Sequence, residues 1–139
     1  MAYMNQEKKA KIAALLKPVL AKYKVKGSLS VRNHSTIVLN IKAGAIDFIQ
    51  NYLSVDRNVR YGQMSDDQYN YVYEKRYLDV NPYHYRNYFT GKAKQFLEEA
   101  FAALNAGNHD NSDIMTDYFD VGWYVDVNIG QWNKPYEVK

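Results

Sequence analysis

The hydrophobic repeat of this chain changes from three-and-four to two at Gly27, so a helix must hand over to a strand there. Across residues 5–24, Ile12, Leu15, Leu16, Val19, Leu20 and Tyr23 fall on one stripe, and Lys8, Lys11 and Lys22 flank it. That spacing predicts an amphipathic helix, with Asn5 as N-cap and Lys22 and Lys24 complementing the C-terminal dipole. Pro18 removes one backbone donor inside the pattern and predicts a kink near residues 14–17. Beyond Gly27, Leu29 and Val31 alternate with Ser28, Ser30 and Arg32. Asn33-His34 suits a turn, and the run TIVLNI at 36–41 restores β-branched residues, so residues 27–42 read as a β-hairpin.

The rest of the chain returns to mixed periods. Ile46, Ile49 and Leu53 predict a short helix over 45–53. Residues 54–76 have no sustained period. Asp66-Asp67 suits a helix start or an exposed turn, whereas the alternation of Tyr69, Tyr71 and Tyr73 around Val72 favours an extended strand. A second short strand at 76–80 would stop at Asn81-Pro82. Thr90 is placed to cap the helix GKAKQFLEEAFAALNAG, whose buried stripe is Phe96, Leu97, Ala100, Phe101 and Leu104 and whose stop is Gly107. Finally, YFDVGWYVDVNI at 118–129 alternates Trp123, Val125, Val127 and Ile129 against Tyr124, Asp126 and Asn128. This order predicts an α+β fold, an antiparallel sheet with helices packed mainly on one face. One domain covers 1–139, with loose ends at 1–4 and 134–139.

Several chemistries lack their residues. The chain has no cysteine, which removes disulfides and thiolate metal sites and fits a reducing cytoplasm. His34, His84 and His109 lie in separate segments without metal-ligand spacing, and the loop carrying His109, Asp110 and Asp113 reads as solvated. There is no GxGxxG, no GxxxxGK[ST] and no nucleophile elbow. No metal, no cofactor and no enzymatic activity are expected. No apolar run reaches the 18 or so residues that a membrane helix needs, so no membrane partner is expected either.

Binding is the better-supported expectation. Eight of the 14 tyrosines fall between Tyr61 and Tyr88. Tyrosine offers a large ring and a hydrogen-bonding tip with few torsions to freeze, which suits contact surfaces. Tyr69, Tyr71, Tyr73, Tyr83 and Tyr85 are the candidate anchors on a protein partner. Asp113, Asp117, Asp120 and Asp126 would add an acidic face that imitates phosphate charge before a nucleic-acid groove on that partner. The alternative is a single-stranded nucleic-acid-binding accessory protein using Lys8, Lys11, Lys22, Arg60, Arg76 and Arg86 beside the aromatic belt. Between residues 54 and 89, basic and acidic residues are equal in number, which suits a protein surface better than a polyanion. A homodimer face is a further use of such a belt.

Two segments, KVKGSLSVRNHSTIVLNIKAGAIDF and DNSDIMTDYFDVGWYVDVNIGQW, resemble the large polyvalent protein associated domains of bacteriophage and plasmid proteins. The likeness rests on the lysine-rich leading helix, the SVR strand, a second strand rich in Ile and Val, and SDIMTDYFD before the last strand. The tyrosine belt at 60–89 lies outside it. The resemblance implies a mobile-element protein that binds and blocks a host defence complex. A CRISPR effector is the partner expected for an inhibitor of the anti-CRISPR type.

Overall fold

The computed structural model describes residues 3–58, 65–82, 84–106, 108, 122–131 and 133–139. The chain order is α1 (Gln6–Tyr23), β1 (Val25–Arg32), β2 (Thr36–Gly44), α2 (Phe48–Asn58), α3 (Asp66–Lys75), β3 (Leu78–Val80), a 3₁₀ turn (Tyr85–Asn87), α4 (Gly91–Leu104), β4 (Tyr124–Ile129) and β5 (Glu137–Val138). The strands form one sheet in the order β1-β2-β4-β3, and β5 adds to the far end of β2. The fold is α+β. The sheet is mixed: β1/β2 and β3/β4 are antiparallel, whereas β2 pairs in parallel with β4 and with β5. Antiparallel pairing throughout is not required because β4 arrives from α4 rather than through a tight turn, so the crossover can set it parallel to β2.

Local signals account for most elements. The Asn5 side chain caps α1 by accepting from the Lys8 amide at 2.8 Å, and the helix runs on through Pro18. It ends at Lys24, not Gly27. Lys24 takes the left-handed conformation (φ 56°), and its amide donates back to the Leu20 and Ala21 carbonyls. Gly27 instead lies inside β1 beside a bulge. Asn33 and His34 both have positive φ, 55° and 57°, the signature of the tight turns that match strand twist. Asp47 caps α2, its carboxylate accepting from the Gln50 amide at 3.0 Å. Thr90 occupies the cap position of α4 without a side-chain bond to its own helix. Its amide donates to Asn51 Oδ1 at 2.9 Å and its hydroxyl accepts from Asn51 Nδ2 at 3.2 Å, tying α4 to α2.

The core lies between the sheet and helices α1, α2 and α4. Ile37, Leu39 and Ile41 of β2, Val127 and Ile129 of β4, and Leu78 and Val80 of β3 form the inner face. Against it pack Ile12 and Leu16 of α1, Phe48, Ile49 and Leu53 of α2, and the whole expected stripe of α4. Each such large apolar side chain contributes about 1.5–3 kcal/mol on burial. Leu15 departs from the expected α1 stripe and is 50% exposed, because it sits about 100° round the helix from Leu16 and about 60° from Ile12, to one side of both.

The expectation of loose ends is corrected at both described termini. Met4 is buried, with its amide donating to the His34 carbonyl at 2.7 Å. At the other end Tyr136 is fully buried. Its ring meets Phe48 edge-on at 5.6 Å and its hydroxyl donates to the Ile46 carbonyl at 2.6 Å. Its amide donates to the Arg76 carbonyl at 2.9 Å, while Arg76 Nε donates to the Tyr136 carbonyl at 3.0 Å and Arg76 Nη2 to Asp47 at 3.0 Å. Gly130 makes this possible. Its φ is +71°, and a Cβ there would stand 2.5 Å from the Arg76 carbonyl oxygen.

Two outcomes follow from this clasp. Gly130→Ala should destabilise the protein by about 2 kcal/mol or more in denaturant unfolding, through both the left-handed backbone and the clash. Tyr136→Phe should cost about 1–3 kcal/mol at neutral pH, because the buried Ile46 carbonyl loses its donor. Burial, with the Asp47 charge adding to it, pushes the Tyr136 phenol far above its ordinary value. Its contribution is therefore intact below the unfolded tyrosine value of about 10 and declines as pH rises past it. Urea unfolding between pH 9 and 12 should show a steeper alkaline loss for the wild type than for Tyr136→Phe.

Candidate binding surface

The tyrosine belt is built on a helix. Residues 66–75 form α3 rather than the strand that alternation favours. Ser65 caps it by accepting from the Gln68 amide at 3.2 Å, Asp66 and Asp67 complement its N-terminus, and Arg76 closes it at φ 49°. Helical geometry separates the three rings. Tyr69 and Tyr73 share one side, and Tyr71 projects some 200° away from both. Tyr69 and Val72 are half-buried against the core, while Tyr71 and Tyr73 are 50% and 58% exposed. No residue of α3 is fully buried. Tyr71 joins Asp67, Gln68 and Val72 in lining a groove of about 410 Å³ against Tyr52 of α2.

The outer face of the sheet, away from the helix layer, carries a different set of side chains. On that face β1 presents Ser28, Ser30 and Arg32, β2 presents Lys42, β3 presents Asp79 and β4 presents Tyr124, all exposed. Tyr77 precedes β3 and donates its hydroxyl to Asp79 at 3.2 Å. Its phenol is raised first by burial and then by the charge and hydrogen bond of Asp79, with Tyr71 and Asp126 adding to it. Arg32 of β1 reaches over β2 to Asp126 of β4 at 3.1 Å, beside the buried Thr36 and Val38. Tyr124, 48% exposed, stands at the start of β4 in register with Thr36. The result is a tyrosine and carboxylate surface on the side of the sheet opposite α1, α2 and α4.

Other expected site residues are placed differently. Tyr85 is corrected from anchor to core: it is 3% exposed and stacks on Phe101 at 4.7 Å, with Arg86 over its ring. Asp126 is half-buried and paired with Arg32, so much of its charge is neutralised. Arg76 is spent in the clasp. Lys22 pairs with Glu99 at 3.1 Å, and Tyr23 donates to the same carboxylate, whose acidity these bonds strengthen. Lys11 pairs with Glu7 at 3.7 Å and Arg86 with Glu98 at 3.3 Å. Lys8 donates to the Tyr3 carbonyl at 3.0 Å and lies over the Tyr3 and Trp123 rings. Tyr83, Asp113, Asp117, Asp120 and Arg60 lie outside the described residues, as does the His109–Asp110–Asp113 loop. Tyr77 and Asp79 were not among the expected site residues, although the run 76–80 that holds them reads as a strand; their signal was an i, i+2 pair on one face of it.

Among the described residues no group of three or more His, Cys, Asp or Glu side chains could hold a metal ion, and no helix is long and apolar enough to cross a membrane. No protein-family model, no curated protein and no solved structure matches the chain.

The split between surface and core tyrosines has a measurable consequence. Tyr71→Ala and Tyr73→Ala should each change unfolding free energy by no more than about 0.5 kcal/mol, whereas Tyr85→Ala should cost about 3–5 kcal/mol. Equal losses at all three would overturn the assignment of Tyr71 and Tyr73 to a free surface.

Proposed function

We propose that this chain is a non-catalytic binding protein that docks on a protein partner through the outer sheet face and the adjoining Tyr71 edge of α3. The observation that carries this reading is that Tyr77 and Tyr124 share the outer face of the sheet with Asp79 and Asp126, Tyr124 at the start of β4 and Tyr77 with Asp79 beside its C-terminal end. Rings with polar tips, set on a rigid sheet and interleaved with partly neutralised carboxylates, suit a protein surface that brings its own basic and aromatic groups. The lysines of α1 belong to the helix layer across the sheet from these tyrosines, so the two do not make one shared nucleic-acid platform. Among the described residues, the cations expected to bind nucleic acid are also engaged within the chain: Lys11, Lys22, Arg76 and Arg86 with carboxylates, and Lys8 with a carbonyl and two rings.

The partner class we propose is a host defence complex, plausible for a mobile-element protein of the kind the sequence resembles, with an effector of the CRISPR type as the first to test. Inhibition would come from occlusion. A bound 16.2 kDa domain covers a working surface without any chemistry of its own. Affinity purification of the tagged protein from a bacterial lysate, with and without nuclease, tests this when run beside Tyr71→Arg and Tyr124→Arg variants. A stoichiometric protein partner that survives nuclease and is lost with either variant is the expected result. Retention of the same partner by both variants would remove the outer face from the interaction.

A further inference from the structure

The basic residues that remain without ion-pair partners matter as much as those that are engaged. A groove of about 650 Å³ opens where the outer sheet face meets the C-terminal segment. One wall is the base of the hairpin, with Lys26 and Ser28 of β1 and Asn40 and Lys42 of β2. The other wall is the return from β4, with Gln131, Lys134 and Lys139. Its volume falls in the usual range for ligand sites, about 300–1,000 Å³. Lys26, Lys42 and Lys134 have no ion-pair partner among the described residues, while Lys139 pairs with the single acidic group of the lining, Glu137, at 3.0 Å. The β1 bulge between Lys26 and Gly27 and the clasp on Tyr136 bring the two walls together. Three exposed ammonium groups without ion-pair partners thus line one recess and give it a positive potential that favours an anion.

We infer that this groove binds the phosphodiester backbone of single-stranded nucleic acid. The lining selects that chemistry. Lysines are point charges suited to phosphate without base discrimination, and Ser28, Asn40 and Gln131 add neutral donors for phosphate oxygens. Among the described residues no arginine lines the groove to fork onto a base edge, so binding is expected to be independent of sequence. The site is separate from Tyr71 and Tyr124, and its failure would leave partner docking untouched.

Fluorescence anisotropy with a labelled oligothymidylate of about 12 nucleotides tests the proposal on the whole chain. Three neutralised phosphates predict a log–log salt slope of about −2, hence binding roughly 15-fold weaker at 200 mM than at 50 mM salt. Lys26→Glu with Lys134→Glu should weaken binding at least tenfold at 50 mM salt and flatten the slope to about −0.7 or less. Lys11→Glu, a change on α1, should leave both unchanged. All three lysines are exposed, so a shared melting temperature checks that the variants fold; Lys42→Glu replaces any that does not. The proposal is overturned by absence of binding at 50 mM salt, by wild-type affinity in the double variant, or by polyglutamate competing as well per charge as the oligonucleotide.

Discussion

The clasp between Arg76 and Tyr136 is the constraint on which the arrangement of this protein most depends. It joins parts of the chain that are 60 residues apart, through two backbone-directed hydrogen bonds and an arginine that also holds Asp47 at the head of α2. Because Tyr136 is buried against Phe48 while Arg76 is only partly so, the bonds are shielded in part from water, and breaking the one to the Tyr136 amide would leave a buried donor unsatisfied. The same contact fixes where α3 ends, where β3 begins and how β5 meets β2. Gly44 and Gly130 leave the space the tyrosine needs: a Cβ on Gly44 would lie 3.0 Å from its hydroxyl.

From that constraint the two faces of the sheet acquire different characters. The inner face is covered by three helices and is apolar throughout. The outer face carries exposed polar and aromatic residues, with the Arg32–Asp126 pair lying across its centre. That pair is partly exposed and contributes at most about 1 kcal/mol, so its value lies less in stability than in neutralising charge amid the tyrosines. At the other end of the same face the lysines stay uncompensated. The surface is therefore mixed, with Tyr124 and Asp126 on β4, Tyr77 and Asp79 on the β3 side of its C-terminal end, and the lysines around the end of β2 that pairs with β5.

Much of this was legible residue by residue. The Asn5 cap, the Asn33-His34 turn, the α4 stripe and the alternation of β4 all follow from local rules, and the α+β class follows from their order. Other features misled for physical reasons. Tyr69, Tyr71 and Tyr73 alternate like a strand, yet Ser65 and the two aspartates start a helix, and in ten residues the cap and dipole outweigh a pattern of three rings. The C-terminal segment looked loose because Asn133, Lys134 and Pro135 carry no periodic signal, while its one large ring is buried by residues distant in sequence.

The sequence by itself determined the helices, the hairpin, the apolar inner face and the abundance of tyrosine, because these depend on neighbours within a few positions. Only the tertiary structure decided which tyrosines are free, which cations are already paired, and that Lys26, Lys42 and Lys134 share one recess. Exposure and pairing are properties of the space between elements. Lys22 and Glu99, or Arg32 and Asp126, are far apart along the chain and meet only after the helices and strands have packed.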